Sequence, residues 1–261
     1  MKSVIFVKTI LALVVIFMFS SCASSGYADF YKPMIDVKTA NNIKLLNKNE
    51  EPQIHSSDNM ANDIIDVLSN HYVMIGYSSF NGIAEDENGL RKLCKKIGAT
   101  LALYNIKYSD TRQGALLMPQ QQTTYAFGNA LSQRNSLWYS GTSTTTSMQQ
   151  IPYSVRRYDH EAAFFAPFTE KLKFGVAWGT LTNEMRQKIQ KNSGAIVKVV
   201  YKSTPAFRAN ILIGDVITKI NGIDIDENNV ERILDALPSG EKIDVVVMRG
   251  THEKSIEVVL D

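Results

Sequence analysis

Lys173-Phe174-Gly175-Val176-Ala177-Trp178 opens the stretch that decides the fold, and the run from Lys173 to Asp261 is best read outward from it. Ala195 to Tyr201 is apolar and β-branched, and long enough for a strand. Pro205 follows and ends ladder pairing. Gly214 sits where the chain must turn before Val216, Ile217 and Ile220, which read as a half-buried strand. Asn221-Gly222 is a two-residue hairpin signal, because both residues tolerate positive φ. Asp226 is the expected N-cap of a helix over Glu227 to Leu237, with Val230, Ile233, Leu234 and Leu237 at helical spacing. Pro238-Ser239-Gly240 stops it. Two strands close the stretch, Ile243 to Arg249 and Ser255 to Leu260; in the second, Ile256, Val258 and Leu260 alternate as on a strand packed on one face.

This order of pieces resembles a bacterial PDZ domain of the kind attached to HtrA-type periplasmic proteases. The resemblance covers residues 173–261, the last third of the chain. It implies a partly open β-barrel with two helices and a groove that adds a peptide as an extra strand. Carried over, the loop that captures a terminal carboxylate or a bent internal carbonyl is Phe174-Gly175-Val176. The edge strand is Val176-Ala177-Trp178, and Val230 and Leu234 line the opposite wall. Gly175 is expected to let the backbone approach the ligand closely. Periodicity leaves open whether Val230/Leu234 or Ile233/Leu237 faces the groove. The family's usual Ala-Gly-Leu is Ala209-Asn210-Ile211 here, and Asn is the commonest non-glycine at positive φ.

The chain starts differently. Lys2 and Lys8 precede the apolar run Ile10 to Phe19, which is too short to span a bilayer but suits the core of a secretory leader over 1–21. Phe19-Ser20-Ser21-Cys22-Ala23 resembles the lipobox of bacterial lipoproteins. That resemblance implies lipid on Cys22, a membrane tether and, with Ala23 next, an outer-membrane address facing the periplasm. The alternative is an ordinary cleaved leader with a cysteine nearby. With Cys22 acylated, Cys94 has no partner and no disulfide framework exists. Cys94 lies in the helical pattern Leu90 to Lys96 and reads as a small buried hydrophobe; the alternative is a thiol activated by Lys95 and Lys96. Removing Lys2 and Lys8 with the leader leaves 26 basic against 26 acidic residues. That balance argues against nucleic acid as a partner.

Residues 22–59 are polar and read as a spacer from the membrane. A small α/β domain is expected over 60–168. It takes a helix at Asn62 to Ser69, a strand at Tyr72 to Ser78, a turn at Asn81-Gly82, a helix at Glu87 to Ile97 closed by Gly98, and a strand at Thr100 to Tyr108. Two such helix–strand units suggest a parallel pair. Pro119 to Gln150 holds no acid and one base, Arg134, so it builds no core of its own. It reads as a loop or as a long β-hairpin, with Trp138 and Tyr139 as contact residues or packed back on the domain. Tyr153 to Phe168 returns as a strand. The whole of Tyr72 to Phe165 resembles a domain of bacterial envelope lipoproteins, a likeness that implies no chemistry.

A catalytic set is not visible. No Gly-x-Ser-Gly-Gly stretch occurs, and Gly76-Tyr77-Ser78-Ser79-Phe80 lacks the second glycine of a nucleophile elbow. His55, His71, His160 and His252 are scattered, and the neighbours Asp159-His160-Glu161 would point to opposite faces of a strand. No phosphate loop or dinucleotide fingerprint occurs. Lys95-Lys96 and Arg156-Arg157 read as solvated surface. The expectation is an α+β, non-catalytic, lipid-anchored envelope adaptor that needs no cofactor or metal and binds a protein or peptide through a PDZ groove. The alternatives are a hydrolase with its site in 60–168, tested at Ser78, Ser79 and His71, or a structural lipoprotein whose groove is occluded by its own chain.

Overall fold

The computed structural model describes residues 24–37, 39–40, 42–132 and 135–261, so the leader and the expected acylation at Cys22 lie outside the described residues. The fold is α+β, built mostly of strands in two open sheets.

The first sheet is sandwiched between helices. Its strands are β1 (Tyr31–Pro33), β2 (Gln53–Ser56), β3 (Tyr72–Gly82), β4 (Leu101–Ser132) and β5 (Asn135–Pro167), in the order β1-β3-β5-β4-β2. Helix α1 is Gly26–Asp29, α2 is Met60–Ser69 and α3 is Glu87–Ile97. The run Ala162 to Ala166 on β5 shows why both faces need cover. Ala162, Phe164 and Ala166 join a cluster with Leu90, Leu93 and Cys94 of α3, while Ala163 and Phe165 pack with Ile64, Val67 and Leu68 of α2. Successive residues alternate across the pleat, so a continuous apolar run requires a sheet buried on both sides. Helix α3 is held at its start by the Asp86 carboxylate, which accepts from the Asn88 N–H at 3.0 Å, and is closed by Gly98 at φ 80°.

Two expectations are corrected here, and a choice left open is narrowed. The segment 22–59 is not a spacer where it is described. Tyr27 on α1 is fully buried, its hydroxyl lies 3.2 Å from His160 Nδ1, and its ring meets Phe80 edge-on. Burial, and secondly the charge of Glu85, pushes the Tyr27 phenol well above its ordinary range. β1 then pairs antiparallel with β3, and β2 pairs parallel with β4. Edge strands of three and four residues need little apolar surface, which is why a polar composition concealed them. The parallel pair is therefore β2 with β4. The expected partner of β4, β3, is separated from it by β5. Finally, the described residues 119–132 and 135–150 are strand, which favours the hairpin of the two readings. The side chains of Trp138 and Tyr139 lie outside the described ones.

Residues 106–159 with 81–84 form a compact unit of their own. Within it Arg157 donates to the Asn81 side chain (Nε to Oδ1, 2.9 Å) and to the Asn81 carbonyl (Nη2, 2.6 Å), and Asn81 Nδ2 donates to Asp159 at 2.8 Å. Further along, Thr123 and Thr144 face each other at 3.3 Å between hydroxyls.

The second sheet runs β11-β10-β8-β7-β6, with β9 paired to β8. Its strands are β6 (Val176–Gly179), β7 (Ala195–Val200), β8 (Val216–Ile220), β9 (Ile223–Asp224), β10 (Lys242–Arg249) and β11 (His252–Val259). The sheet is open, in line with the partly open barrel expected, and it carries three short helices where two were expected: α4 (Asn183–Ile189), α5 (Pro205–Arg208) and α6 (Val230–Ala236). The β8–β9 turn places Asn221 at φ 48° and Gly222 at φ 79°, the hairpin geometry read from their identities. Asn210 also takes positive φ, 59°, so the turn survives without glycine. Helix α6 begins later than expected. The Asp226 carboxylate accepts from the N–H groups of Asn228 and Asn229, both at 2.9 Å, and so shapes the turn that precedes the helix. The core is almost wholly aliphatic, with Val197, Ile217, Ile220, Val245 and Val247 at its centre.

Candidate peptide-binding site

Strand β6 ends the sheet, and its free edge is the candidate site. β7 is its one partner among the described residues, with Val176 opposite Val200 and a bulge between Ala177 and Trp178. The Tyr201 N–H donates to the Gly175 carbonyl at 3.0 Å. With that bond flanking it, Val176/Val200 is a non-hydrogen-bonded pair, so the Val176 N–H and C=O turn away from β7 toward the open edge. The Phe174 carbonyl accepts from the Ala206 N–H at 2.9 Å, while among the described residues no group accepts from the Phe174 or Gly175 N–H. Main-chain donors thus gather at the start of a strand paired on one side only.

The expected site residues are distributed as follows. Phe174 is buried and stacks on Trp178 with ring centroids 5.7 Å apart. Val176, Ala177 and Trp178 are half-buried. Gly175 adopts φ 92°, and a Cβ there would run into the side chain of Thr204. The glycine is required first by the protein's own packing, before any ligand is considered. Val230 and Leu234 are only 0% and 5% exposed and belong to the core cluster, whereas Ile233 and Leu237 are half-buried at its margin. Of the two pairs that periodicity left open, Ile233/Leu237 is the one with accessible surface.

Two supporting residues carried no signal in the sequence reading. Thr204 is buried, and its hydroxyl reaches the Tyr201 carbonyl at 2.6 Å and the Gly175 carbonyl at 3.3 Å. Asp215 is buried and accepts from Arg249 twice, at 2.9 and 2.8 Å, and from the Leu212 N–H at 2.9 Å. The Asp215 hydrogen bond holds the Arg249 guanidinium above its ordinary range. A threonine before proline and an aspartate after glycine are common turn chemistry, so neither role shows without coordinates.

Of the residues weighed for catalysis, Ser79 is exposed, while Ser78 and His71 make internal hydrogen bonds. The Ser78 hydroxyl is buried inside β3 and donates to the Tyr27 carbonyl at 2.7 Å. His71 Nε2 meets the Lys202 carbonyl at 2.7 Å. Among the described residues no three His, Cys, Asp or Glu side chains converge as a metal site. Asp159 is bonded to Asn81, His160 to Tyr27, and Glu161 lines a cavity beneath α2 together with Ser78 and Ser79.

Residues 175–260 match the family model described as a PDZ domain. No curated protein sequence matches the chain. Among solved structures, the HtrA-type protease AlgW with a decapeptide is 24% identical, with 38% of this chain and 36% of that chain covered and a TM-score of 0.30. The HtrA3 PDZ domain bound to a phage-derived ligand is 23% identical over 35% of this chain and 86% of that one, with a TM-score of 0.31. An aminopeptidase N family protein from Idiomarina loihiensis is 23% identical over 34% of this chain and 13% of that one, with a TM-score of 0.29. The chain thus spans well under two thirds of the protease and the aminopeptidase it resembles. The glycine at positive φ, the open-edged β6, the Asn221-Gly222 hairpin and the family match all fall in one stretch, and residues 175–260 form a PDZ domain.

Proposed function

We propose that the protein binds an extended peptide segment, ending in a free carboxylate, along the open edge of β6. One observation carries this: the unaccepted N–H groups of Phe174 and Gly175, with that of Val176 turned outward, stand at the head of a strand that is paired on one side only. Such donors favour a carboxylate, and the strand edge supplies main-chain pairing for the residues before it. Val176 and Trp178, with Ile233 and Leu237, offer apolar surface for the terminal side chain. The rest of the role is that of a non-catalytic adaptor, tethered by lipid on Cys22 and exposed to the periplasm. It is supported by the leader-like start and by the lack of a nucleophile motif in the sequence.

The test is a random-peptide selection on the chain from Ala23 onward, with hits remade as free acids and as amides. The two tryptophans are Trp138 and Trp178, so a Trp138→Phe background isolates Trp178 fluorescence. Binding of the acids, at least 10-fold loss for the amides and no binding by Gly175→Leu are expected. Equal binding of acid and amide would sink carboxylate capture.

A further inference from the structure

The loop that presents these donors is not held by the PDZ domain alone. Its anchor is the turn after β7, where Tyr201 N–H bonds the Gly175 carbonyl and Thr204 ties the Tyr201 carbonyl back to the same group. The other side of that turn is gripped by the end of α2. The Lys202 N–H donates to the Ser69 carbonyl at 2.8 Å. His71 Nε2 sits 2.7 Å from the Lys202 carbonyl, so that nitrogen carries the proton and donates. The Lys202 ammonium reaches Asn70 Oδ1 at 3.0 Å and Asp66 Oδ1 at 3.3 Å. The His71 ring lies against Tyr201 and Phe168, with centroids 5.9 and 5.5 Å away, and Phe168 meets Tyr201 edge-on at 5.4 Å. His71 itself is held at φ 64°, an uncommon conformation for a non-glycine residue, which points to a position fixed by its surroundings.

Tyr201 is only partly buried. It borders a cavity of about 280 Å³ lined also by Val73, Ile43, Phe168 and Leu172. A ring with open space beside it keeps its place through the contacts it does make. We propose that the α/β domain positions the peptide-capturing loop, with His71 as the positioning residue: α2 grips Tyr201-Lys202, and Tyr201 fixes Gly175. The affinity consequence rests on the peptide-binding reading above, whereas the positioning itself does not. The α/β domain thereby acquires a role, setting how well ordered the Phe174-Gly175-Val176 donors are before a ligand arrives. Pre-ordering of a binding loop raises affinity because less entropy is lost on binding.

The experiment uses the full chain in detergent solution, with two readouts. The first is amide hydrogen exchange at Tyr201 and Lys202 without ligand. His71→Ala should accelerate both by at least 10-fold. The second is affinity for a free-acid peptide selected on the wild-type chain, which should fall about 5- to 10-fold. His71→Gln retains a donor and should recover most of both effects, while His71→Phe retains the ring contacts and should not. If His71→Ala fails to fold, His71→Phe and Lys202→Met carry the test, the latter with a smaller shift in the same direction. Unchanged Tyr201 exchange in folded variants overturns the proposal. So does faster exchange with unchanged peptide affinity, since the loop would then bind equally well ungripped. If no peptide binds the wild-type chain, the peptide-binding reading fails, and the exchange measurement alone decides whether His71 positions the turn.

Discussion

The two sheets reach burial by different routes. In the PDZ domain the core is a set of Ile, Val and Leu side chains from elements that follow each other within about ninety residues, with Phe174 as its buried aromatic. Each strand there announces itself by its own pattern. The α/β sheet instead closes around Tyr27, Phe80 and His160, the last 133 residues from the first, with the Ser78 hydroxyl donating to the Tyr27 carbonyl beneath them. A core assembled from distant, partly polar pieces depends on each of them, whereas an aliphatic core spreads its stability over many similar contacts.

That difference is testable at Tyr27. Replacing a fully buried aromatic by alanine typically costs about 3–5 kcal/mol. Tyr27→Ala should therefore destabilise the α/β sheet by that amount in urea unfolding, while Tyr27→Phe, which removes only the hydroxyl facing His160, should cost about 1 kcal/mol. A stability unchanged by Tyr27→Ala would restore the view of residues 22–59 as a spacer.

The PDZ domain has one counterpart to this polar dependence, the buried Asp215 and its bond pair to Arg249. Asp215→Asn removes the charge but keeps the shape. Hydrogen bonds to charged groups contribute about 1.5–3 kcal/mol, and the Arg249 side chain is 31% exposed, so the freed guanidinium can still be hydrated. A loss of about 2 kcal/mol is expected, smaller than at Tyr27. A larger loss would mean that this sheet, too, hangs on a single polar centre.

The same contrast explains what could be read from the chain. Gly175, Asn210, Asn221-Gly222 and the strands from Ala195 to Leu260 were legible because turn chemistry and alternation are local. Helix α3 was legible for the same reason, from Leu90, Leu93, Cys94 and the closing Gly98. β1 and β2 were not, because a three- or four-residue edge strand in a polar stretch carries no period to detect. At the site, the loop was visible but its supports were not. Thr204 and His71 act through main-chain carbonyls 29 and 131 residues away, and no spacing rule reports such partners. Spacing left the groove wall open between Val230/Leu234 and Ile233/Leu237 because it shows which residues share a helix face, not how deep that face is buried.

The smallest effect is expected at Cys94, where both sheets' strategies meet in one residue, a polar group treated as an aliphatic one. Cys94 is fully buried on α3, and burial pushes its thiol from 9.0 up to about 12. The folded state therefore keeps the proton that the unfolded chain releases above pH 9. This contribution is fully present below pH 9 and is lost progressively as pH rises toward 12, because ionisation then favours the unfolded state. Unfolding by urea should show stability declining over that window in the wild type and a shallower decline in Cys94→Ala, after allowance for the general cost of the smaller side chain. Native protein at pH 8.5 should also resist iodoacetamide until urea unfolds it. Rapid alkylation in the folded state would show that α3 opens readily, and that this face of the α/β sheet is far less secure than the aliphatic core of its neighbour.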